Sequence, residues 1–110
     1  ILPFLEPKQY ARYLVEKHWS NSAAEYKCLA ALWGKESAWN FKAKSKTHDY
    51  GIPQRHMSQN SAAEIKDFMN SPRAQIRWGI TYIKSRYETP CGALKSWLSR
   101  ANKNGKGGWY

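Results

Sequence analysis

The sequence has no long hydrophobic run and few acidic residues, and both shortages limit what the protein can be. No apolar stretch approaches the ~20 residues that span a bilayer, so we expect no membrane insertion. Only eight Asp and Glu oppose 18 Lys and Arg, which gives a net charge of +10. Such a charge attracts polyanions, so nucleic acid, anionic lipid and anionic cell-wall polymers are the partner classes to weigh.

Cysteine is also scarce, and Cys28 and Cys91 are the only possible internal pair. A bond between them would close a loop of roughly 60 residues, contribute roughly 4 kcal/mol in the chain-entropy model, and imply an oxidising compartment. Two separate buried thiols are the alternative, and the spacing does not decide between them. The sequence has no CxxC pair and no Cys/His cluster at zinc spacing, so we predict no metal site and no cofactor.

Aromatic residues, in contrast, are abundant. The chain has six Trp and seven Tyr although its mean hydropathy is polar, so many of these rings are expected at the surface or in a cleft. A length of 110 residues predicts one monomeric domain, residues 1–110, with a single core. Because the chain begins at Ile1 without Met, we expect it to be excised or processed from a longer protein.

Helix signals predict a mainly α fold with one irregular insertion. Pro7 is typical of a first turn, and we interpret Ser22 with Glu25 as a capping box, as we do Ser61 with Glu64. Apolar residues then recur at helical spacing, with a short hairpin predicted between residues 40 and 60. Ser71-Pro72 is predicted to open a helix that Thr89-Pro90 ends, and a last helix is predicted from the apolar residues between Ala93 and Ala101. Asn104–Gly108 is predicted to be a flexible stretch.

Glu36 is the strongest candidate for chemistry. It lies one turn beyond Trp33, on or beside the apolar stripe of the second helix, between Trp33 and Trp39. Partial desolvation by indoles would raise its pKa towards that of a general acid. The alternative is a structural Glu, paired with Lys35 or Arg77. Trp33 itself, like Trp78, is expected in the core because each lies on or near a helical stripe.

Four separated segments of the sequence resemble one family. They are Glu36-Ser37 at a helix end, Tyr50-Gly51-Ile52-Pro53-Gln54, the stretch QIRWGITYI at residues 75–83, and Gly108-Trp109-Tyr110. Together they resemble the lysozyme-like lytic transglycosylases, especially the small extracellular branch of Gram-positive wall proteins and phage tail proteins. The resemblance covers residues 26–110 and implies a lysozyme-like (α+β), mainly α domain.

The resemblance also implies roles for individual residues. Glu36 matches the catalytic acid/base that cleaves the β-1,4 bond between N-acetylmuramic acid and N-acetylglucosamine, leaving a 1,6-anhydro ring. Ser37 matches a residue that orients this Glu, and Cys28 and Cys91 match a disulfide. The implied substrate-binding residues are Ser37, Tyr50, Ile52, Gln54, Tyr82, Trp109 and Tyr110, with Gln54 expected to contact an acetamido group and Tyr82 expected near the acid.

Other readings remain open. Asp49 as a second carboxylate opposite Glu36 would permit ordinary hydrolysis, although Asp before Tyr-Gly is more often a turn residue. A non-catalytic cationic wall-binding module would need the charge but not Glu36. Nucleic-acid binding is not expected, because the basic residues are spread over every element. The expected partners are peptidoglycan and anionic wall polymers, and the expected location is extracellular, at the cell wall, or in a phage tail.

Overall fold

Five helices and one short hairpin make up the described part of the chain. The structure, a computed structural model, describes residues 6–101 and 109–110. The predicted mainly α fold is therefore confirmed, whereas the predicted flexible stretch at residues 104–108 lies outside the described residues. In chain order the elements are α1 (Pro7–His18), α2 (Ser22–Ser37), β1 (Asp49–Tyr50), β2 (Arg55–His56), α3 (Ala62–Met69), α4 (Pro72–Tyr87) and α5 (Pro90–Arg100).

Most helix starts follow the sequence signals. Pro7, Pro72 and Pro90 each occupy a first turn, where the missing N–H costs nothing. The Ser61 hydroxyl accepts a hydrogen bond from the Glu64 amide at 3.2 Å, and the Glu64 carboxylate accepts from the Ser61 amide at 2.9 Å. This confirms the capping box predicted there.

The capping box predicted from Ser22 and Glu25 is wrong. Ser22 is already the first helical residue, Asn21 precedes it, and the Glu25 carboxylate accepts a hydrogen bond from the amide of Cys91 at 3.0 Å. Tertiary contact thus overrides the local pattern, because a carboxylate near one helix start is used at the start of another helix. The bond joins the beginning of α5 to α2.

The predicted hairpin between residues 40 and 60 is confirmed, but it is very short. Asp49 pairs with His56 and Tyr50 with Arg55 in antiparallel register. Gly51, at the turn, has a φ of 79°, and a β-carbon there would lie 2.6 Å from the Gln75 side chain. Only glycine fits this position, since both the left-handed backbone and the close approach exclude a side chain.

Gln75 of α4 fixes the irregular segment to the helical body. Its fully buried amide accepts a hydrogen bond from the Ile52 amide at 2.8 Å and donates to the carbonyls of Phe41 and Phe68, both at 3.0 Å. A buried amide with all these partners satisfies backbone groups that would otherwise be desolvated without a partner. The segment that follows α2 is therefore held in one place relative to α4.

The core lies around α2, which packs against α1 and α5. Its fully buried side chains Leu29, Leu32 and Trp33 meet Ile76, Ile80 and Ile83 of α4. Gly79 lets α4 approach closely, because a β-carbon at that position would collide with the Trp33 ring. The expectation that Trp33 is buried is confirmed. No helix within residues 6–101 has the length and hydropathy that crossing a bilayer requires.

A disulfide between Cys28 of α2 and Cys91 of α5 spans 63 positions of the sequence. This resolves the alternative that the spacing left open in favour of the bonded pair. Because the loop is long, the bond removes much of the conformational freedom of the unfolded chain. It attaches the last helix of the fold to the central one.

Loss of this bond should lower thermal stability strongly. We expect the double variant C28S/C91S to melt about 15 °C below the wild type, since roughly 4 kcal/mol of unfolded-chain constraint is removed from a small domain. Differential scanning calorimetry measures this, and reduction of the wild type should reproduce the shift. A melting temperature within about 2 °C of the wild type would contradict a stabilising role.

Candidate active site

Glu36 lies in the last turn of α2, where the helix meets the irregular segment. Ala38 and Trp39 follow with φ values of 53° and 60°, a left-handed reversal that ends the helix immediately after Ser37. A carboxylate at this end of a helix faces the negative end of the helix dipole, which disfavours its charged form. The side chain is half-buried.

A cleft of about 560 Å³ opens beside this carboxyl group. Its walls come from the end of α2, the hairpin, α4, α5 and the last two residues of the chain. The lining residues are Lys35, Glu36, Asp49, Pro53, Gln54, His56, Trp78, Tyr82, Trp97, Trp109 and Tyr110. A concave site with aromatic walls and a few polar groups suits a small or extended organic ligand.

The pKa of Glu36 is raised to about 7, and burial is the main cause. The negative charge of Asp49 raises it further, while a hydrogen bond opposes both effects: the indole N–H of Trp97 donates to Oε1 of Glu36 at 2.6 Å. The expectation of a desolvated Glu36 is therefore met, but the indole that hydrogen-bonds to it is that of Trp97, whereas the indole N–H groups of Trp33 and Trp39 donate to Tyr110 and Ala30. Glu36 makes no ion pair with Lys35 or Arg77 in the described residues.

Asp49 lies across the same cleft in a different environment. Burial alone would raise its pKa, but hydrogen bonds from Thr47 at 2.6 Å, His56 at 3.0 Å and Ser45 at 2.9 Å together lower it. The pKa of Glu36 is thus raised and that of Asp49 lowered, so Glu36 is the carboxyl group that binds a proton more strongly and Asp49 is the anion. Such a divergence is a usual mark of an acid and its anionic partner.

An aromatic wall faces Glu36 from α4. The ring of Trp78 stacks on Tyr82 with centroids 4.9 Å apart, and Tyr82 meets Tyr110 edge to face at 5.5 Å. The expectation that Trp78 belongs to the core is wrong. It lies two residues after the buried Ile76, which turns its side chain about 200° away from the apolar stripe and into the cleft.

The end of the chain completes the cleft. The Tyr110 hydroxyl accepts a hydrogen bond from the Trp33 indole and donates to the Pro53 carbonyl, both at 2.9 Å. Burial raises the pKa of this hydroxyl well above its ordinary value. Trp109 is 55% exposed, and the Arg100 guanidinium lies 3.9 Å from the centre of its ring. One residue is thus fixed in the body while the other presents an open ring.

Gln54 lines the cleft with an unusual backbone, at a φ of 55°. Its side-chain nitrogen donates to the carbonyl of Gly51 at 2.9 Å and to that of Ala43 at 3.3 Å. With the nitrogen used in this way, the amide can meet a ligand through its oxygen. An oxygen acceptor suits a ligand N–H group.

Ser37, Tyr50 and Ile52 do not reach the cleft lining. The Ser37 hydroxyl donates to the Ile52 carbonyl at 2.7 Å, which ties the end of α2 to the segment carrying Gln54. The Ile52 side chain is fully buried, so any ligand contact of that residue would be through its backbone. Tyr50 is half-buried in β1. The structure therefore brings together Glu36, Gln54, Tyr82, Trp109 and Tyr110 in the cleft lining. Ser37, Tyr50 and Ile52 lie outside that lining.

Two further cleft residues had no role in the sequence interpretation. They are Trp97 of α5 and His56 of β2. No local pattern marks Trp97, because its partner Glu36 lies 61 positions away. His56 could have been found from the hairpin register, since it pairs directly with Asp49. In the described residues, no group of three or more His, Cys, Asp and Glu could hold a metal ion.

Comparison with known proteins identifies the family. The model of the transglycosylase SLT domain matches residues 14–104, so the chain belongs to the SLT domain family. This is a family of lytic transglycosylase-type domains that act on peptidoglycan, and the mainly helical fold with a short hairpin agrees with its lysozyme-like architecture. No curated protein and no solved structure matched the sequence.

The raised pKa of Glu36 predicts a stability difference that depends on pH. Because the folded state keeps this proton to about pH 7 while the unfolded chain loses it near 4.5, wild-type stability should fall as the pH rises through that window. Glu36→Gln keeps an oxygen for Trp97 and removes the effect. We expect it to be more stable than the wild type at pH 8 by about 2 kcal/mol, after allowance for partial exposure.

Urea denaturation at pH 4 and pH 8 measures this difference. Glu16→Gln is the matched control, because it removes the same charge from an exposed site on α1. A gain for Glu36→Gln that is the same at both pH values would contradict the raised pKa.

Proposed function

We propose that the protein is a peptidoglycan lytic transglycosylase that cleaves the β-1,4 bond between N-acetylmuramic acid and N-acetylglucosamine. The carrying observation is Glu36, a carboxyl group with a pKa of about 7 in an aromatic cleft of the SLT family. A group that is half protonated near neutral pH can both donate and accept a proton.

In this mechanism Glu36 acts twice. It first donates its proton to the glycosidic oxygen as the bond from that oxygen to C1 of the muramic acid breaks. The resulting carboxylate then accepts the proton of the muramic C6 hydroxyl as that oxygen bonds to C1. The products are a free 4-hydroxyl on one sugar and a 1,6-anhydro ring on the other, and Glu36 recovers its proton without consuming water.

Substrate binding follows from the walls of the cleft. The stacked pair Trp78 and Tyr82, and the open ring of Trp109, offer flat apolar faces to sugar rings. The Gln54 oxygen is suited to the N–H of an acetamido group. Ser37, Tyr50 and Ile52 support these contacts from behind, and Tyr110 fixes the position of Trp109 next to it in sequence.

A second candidate is hydrolysis by a muramidase that uses Glu36 with Asp49. The observation that favours it is the divergent pair of pKa values, because an anionic Asp49 could activate water or stabilise positive charge at C1. Against this, the Ser45, Thr47 and His56 side chains already occupy both oxygens of Asp49. In the transglycosylase the charge of Asp49 instead helps Glu36 to keep its proton.

We place the domain, residues 1–110, at the bacterial wall. A net charge of +10 would favour approach to anionic wall polymers. Peptidoglycan as substrate and a long disulfide suit an extracellular or wall-bound enzyme, or the tail of a phage that pierces the wall. The branch of Gram-positive and phage-tail enzymes is the one that the sequence resembles.

Mass spectrometry of fragments released from purified peptidoglycan tests the reaction. We expect wild-type products that lack one water molecule relative to reducing-end fragments. Glu36→Gln should slow release by roughly 10²–10⁴-fold while circular dichroism stays unchanged. Asp49→Asn should keep the anhydro products, and Glu16→Gln should behave as the wild type.

Other outcomes would identify the rival functions. Reducing-end products that disappear in Asp49→Asn would establish hydrolysis with Asp49. Binding of walls without any release by the wild type would show a cationic wall-binding module, and release by Glu36→Gln at the wild-type rate would remove Glu36 from the mechanism.

Attachment to walls should depend on salt. If charge drives it, the fraction of protein that sediments with purified walls should fall as salt rises from 10 mM to about 150 mM, because the Debye length shrinks from about 30 Å to about 8 Å. Walls stripped of their anionic polymers serve as the control and should show a smaller salt effect. Binding that ignores both salt and stripping would contradict a role for the charge.

A further inference from the structure

We propose that Trp97 is a positioning residue for Glu36: its indole N–H holds Oε1 and thereby assigns the transferred proton to Oε2. The inference rests on the proposed role of Glu36 as the acid. Trp97 is 4% exposed and its nitrogen lies 2.6 Å from Oε1. An indole nitrogen can only donate, so Oε1 must act as the acceptor whether or not the carboxyl group is protonated.

The hydrogen bond at Oε1 also decides which oxygen of the neutral Glu36 carries the proton. The carbonyl oxygen of a carboxylic acid accepts hydrogen bonds better than its hydroxyl oxygen does, so a donor at Oε1 keeps the proton on Oε2. A single oxygen is then prepared to protonate the glycosidic bond, and the same oxygen is left to receive the C6 hydroxyl proton. Without the indole, the carboxyl group could rotate and present either oxygen.

The fold holds Trp97 in register with Glu36. Both residues lie about two turns beyond the Cys28–Cys91 disulfide, Glu36 along α2 and Trp97 along α5. The Glu25 carboxylate accepts the amide hydrogen of Cys91, which adds a second tie at the start of α5. The short bond between Trp97 and Glu36 is therefore fixed from the far end of two packed helices.

The hydrogen bond also opposes the effect of desolvation on the pKa of Glu36, so its loss should shift that pKa in a known direction. It stabilises the carboxylate, so the pKa of Glu36 stays at about 7 instead of rising further. Removal of the N–H alone should raise that pKa. Loose packing would do the opposite, because water admitted to the site restores the charged form and lowers the pKa.

Other groups around Glu36 would stay in place. The ammonium group of Lys35 lies 5.2 Å from the centre of the Trp97 ring, and Asp49 with its partner His56 faces the cleft from the hairpin. Tyr82 of α4 and Tyr110 at the end of the chain complete the titratable groups that line the site. Trp97→Phe changes none of these charges, so an upward shift in the pKa of Glu36 reports on the lost N–H.

The test compares Trp97→Phe with Trp39→Phe in two measurements. Trp39 is the matched control, since its indole also donates a hydrogen bond, to the Ala30 carbonyl at 3.1 Å, but does not line the cleft. The first measurement is the pH profile of kcat/KM for lysis. The second, which needs no activity, is the stability difference between each protein and the same protein carrying Glu36→Gln, followed from pH 4 to pH 9.

For Trp97→Phe we expect the alkaline limb of the activity profile to move up by about one pH unit. The upper end of the pH range over which the stability difference changes should move up by the same amount. Trp39→Phe should leave both where the wild type has them. Limbs that stay in place or move down in Trp97→Phe would overturn the proposal. A window that moves up in a protein whose lysis never depended on Glu36 would support the hydrogen bond and refute the proposed function instead.

Discussion

The burial of one carboxyl group between α2 and α5 is the constraint on which the site depends. Partial burial of Glu36 raises its pKa to about 7, whereas hydrogen bonds lower the pKa of Asp49 in the same cleft. The Trp97 indole then limits how far the proton affinity rises. The disulfide, the Glu25 bond to α5 and the left-handed end of α2 all serve to keep this arrangement in place.

Such a site costs stability, and the rest of the fold offsets that cost. A partly desolvated carboxyl group, two left-handed non-glycine residues after α2 and a third at Gln54 are each unfavourable. They persist because Gln75 satisfies the backbone of the irregular segment and the Cys28–Cys91 bond restricts the unfolded chain. Ala38 and Trp39 directly follow the helix that carries Glu36, and Gln54 lines the cleft, so these three positions lie next to the site; Glu88, between α4 and α5, has a φ of 68° as well.

Much of this fold could be predicted from the sequence, because its signals are local. Ser61 with Glu64, Pro7 and Ser71-Pro72 marked helix starts, and loss of periodicity marked the hairpin region. Thr89-Pro90 was expected only to end α4, yet it also begins α5. Interpretation failed where distant contacts decide the outcome. Glu25 binds Cys91 rather than capping its own helix, and Trp78 leaves the core because the helix turns it away from Ile76.

In the candidate site, too, features with a local sequence signal could be predicted and features that depend on distant contacts could not. Glu36 could be found from its place on an apolar stripe and from the spacing of the family segments, but its hydrogen-bond donor could not, since Trp97 reaches it only through the packing of α5 on α2. The two carboxyl groups illustrate the point further. Asp49 and Glu36 line one cleft, yet their different surroundings follow only from the fold: three side chains lower the pKa of Asp49, while burial raises that of Glu36.

The most direct measurement is a pH titration of the Glu36 side-chain carboxyl carbon by NMR in the selectively labelled wild-type protein. A midpoint near 7 would show that the fold by itself prepares a proton donor at neutral pH. A midpoint near the ordinary value of 4.5 would mean that water reaches the carboxyl group, and it would contradict the account of Glu36 as a desolvated acid.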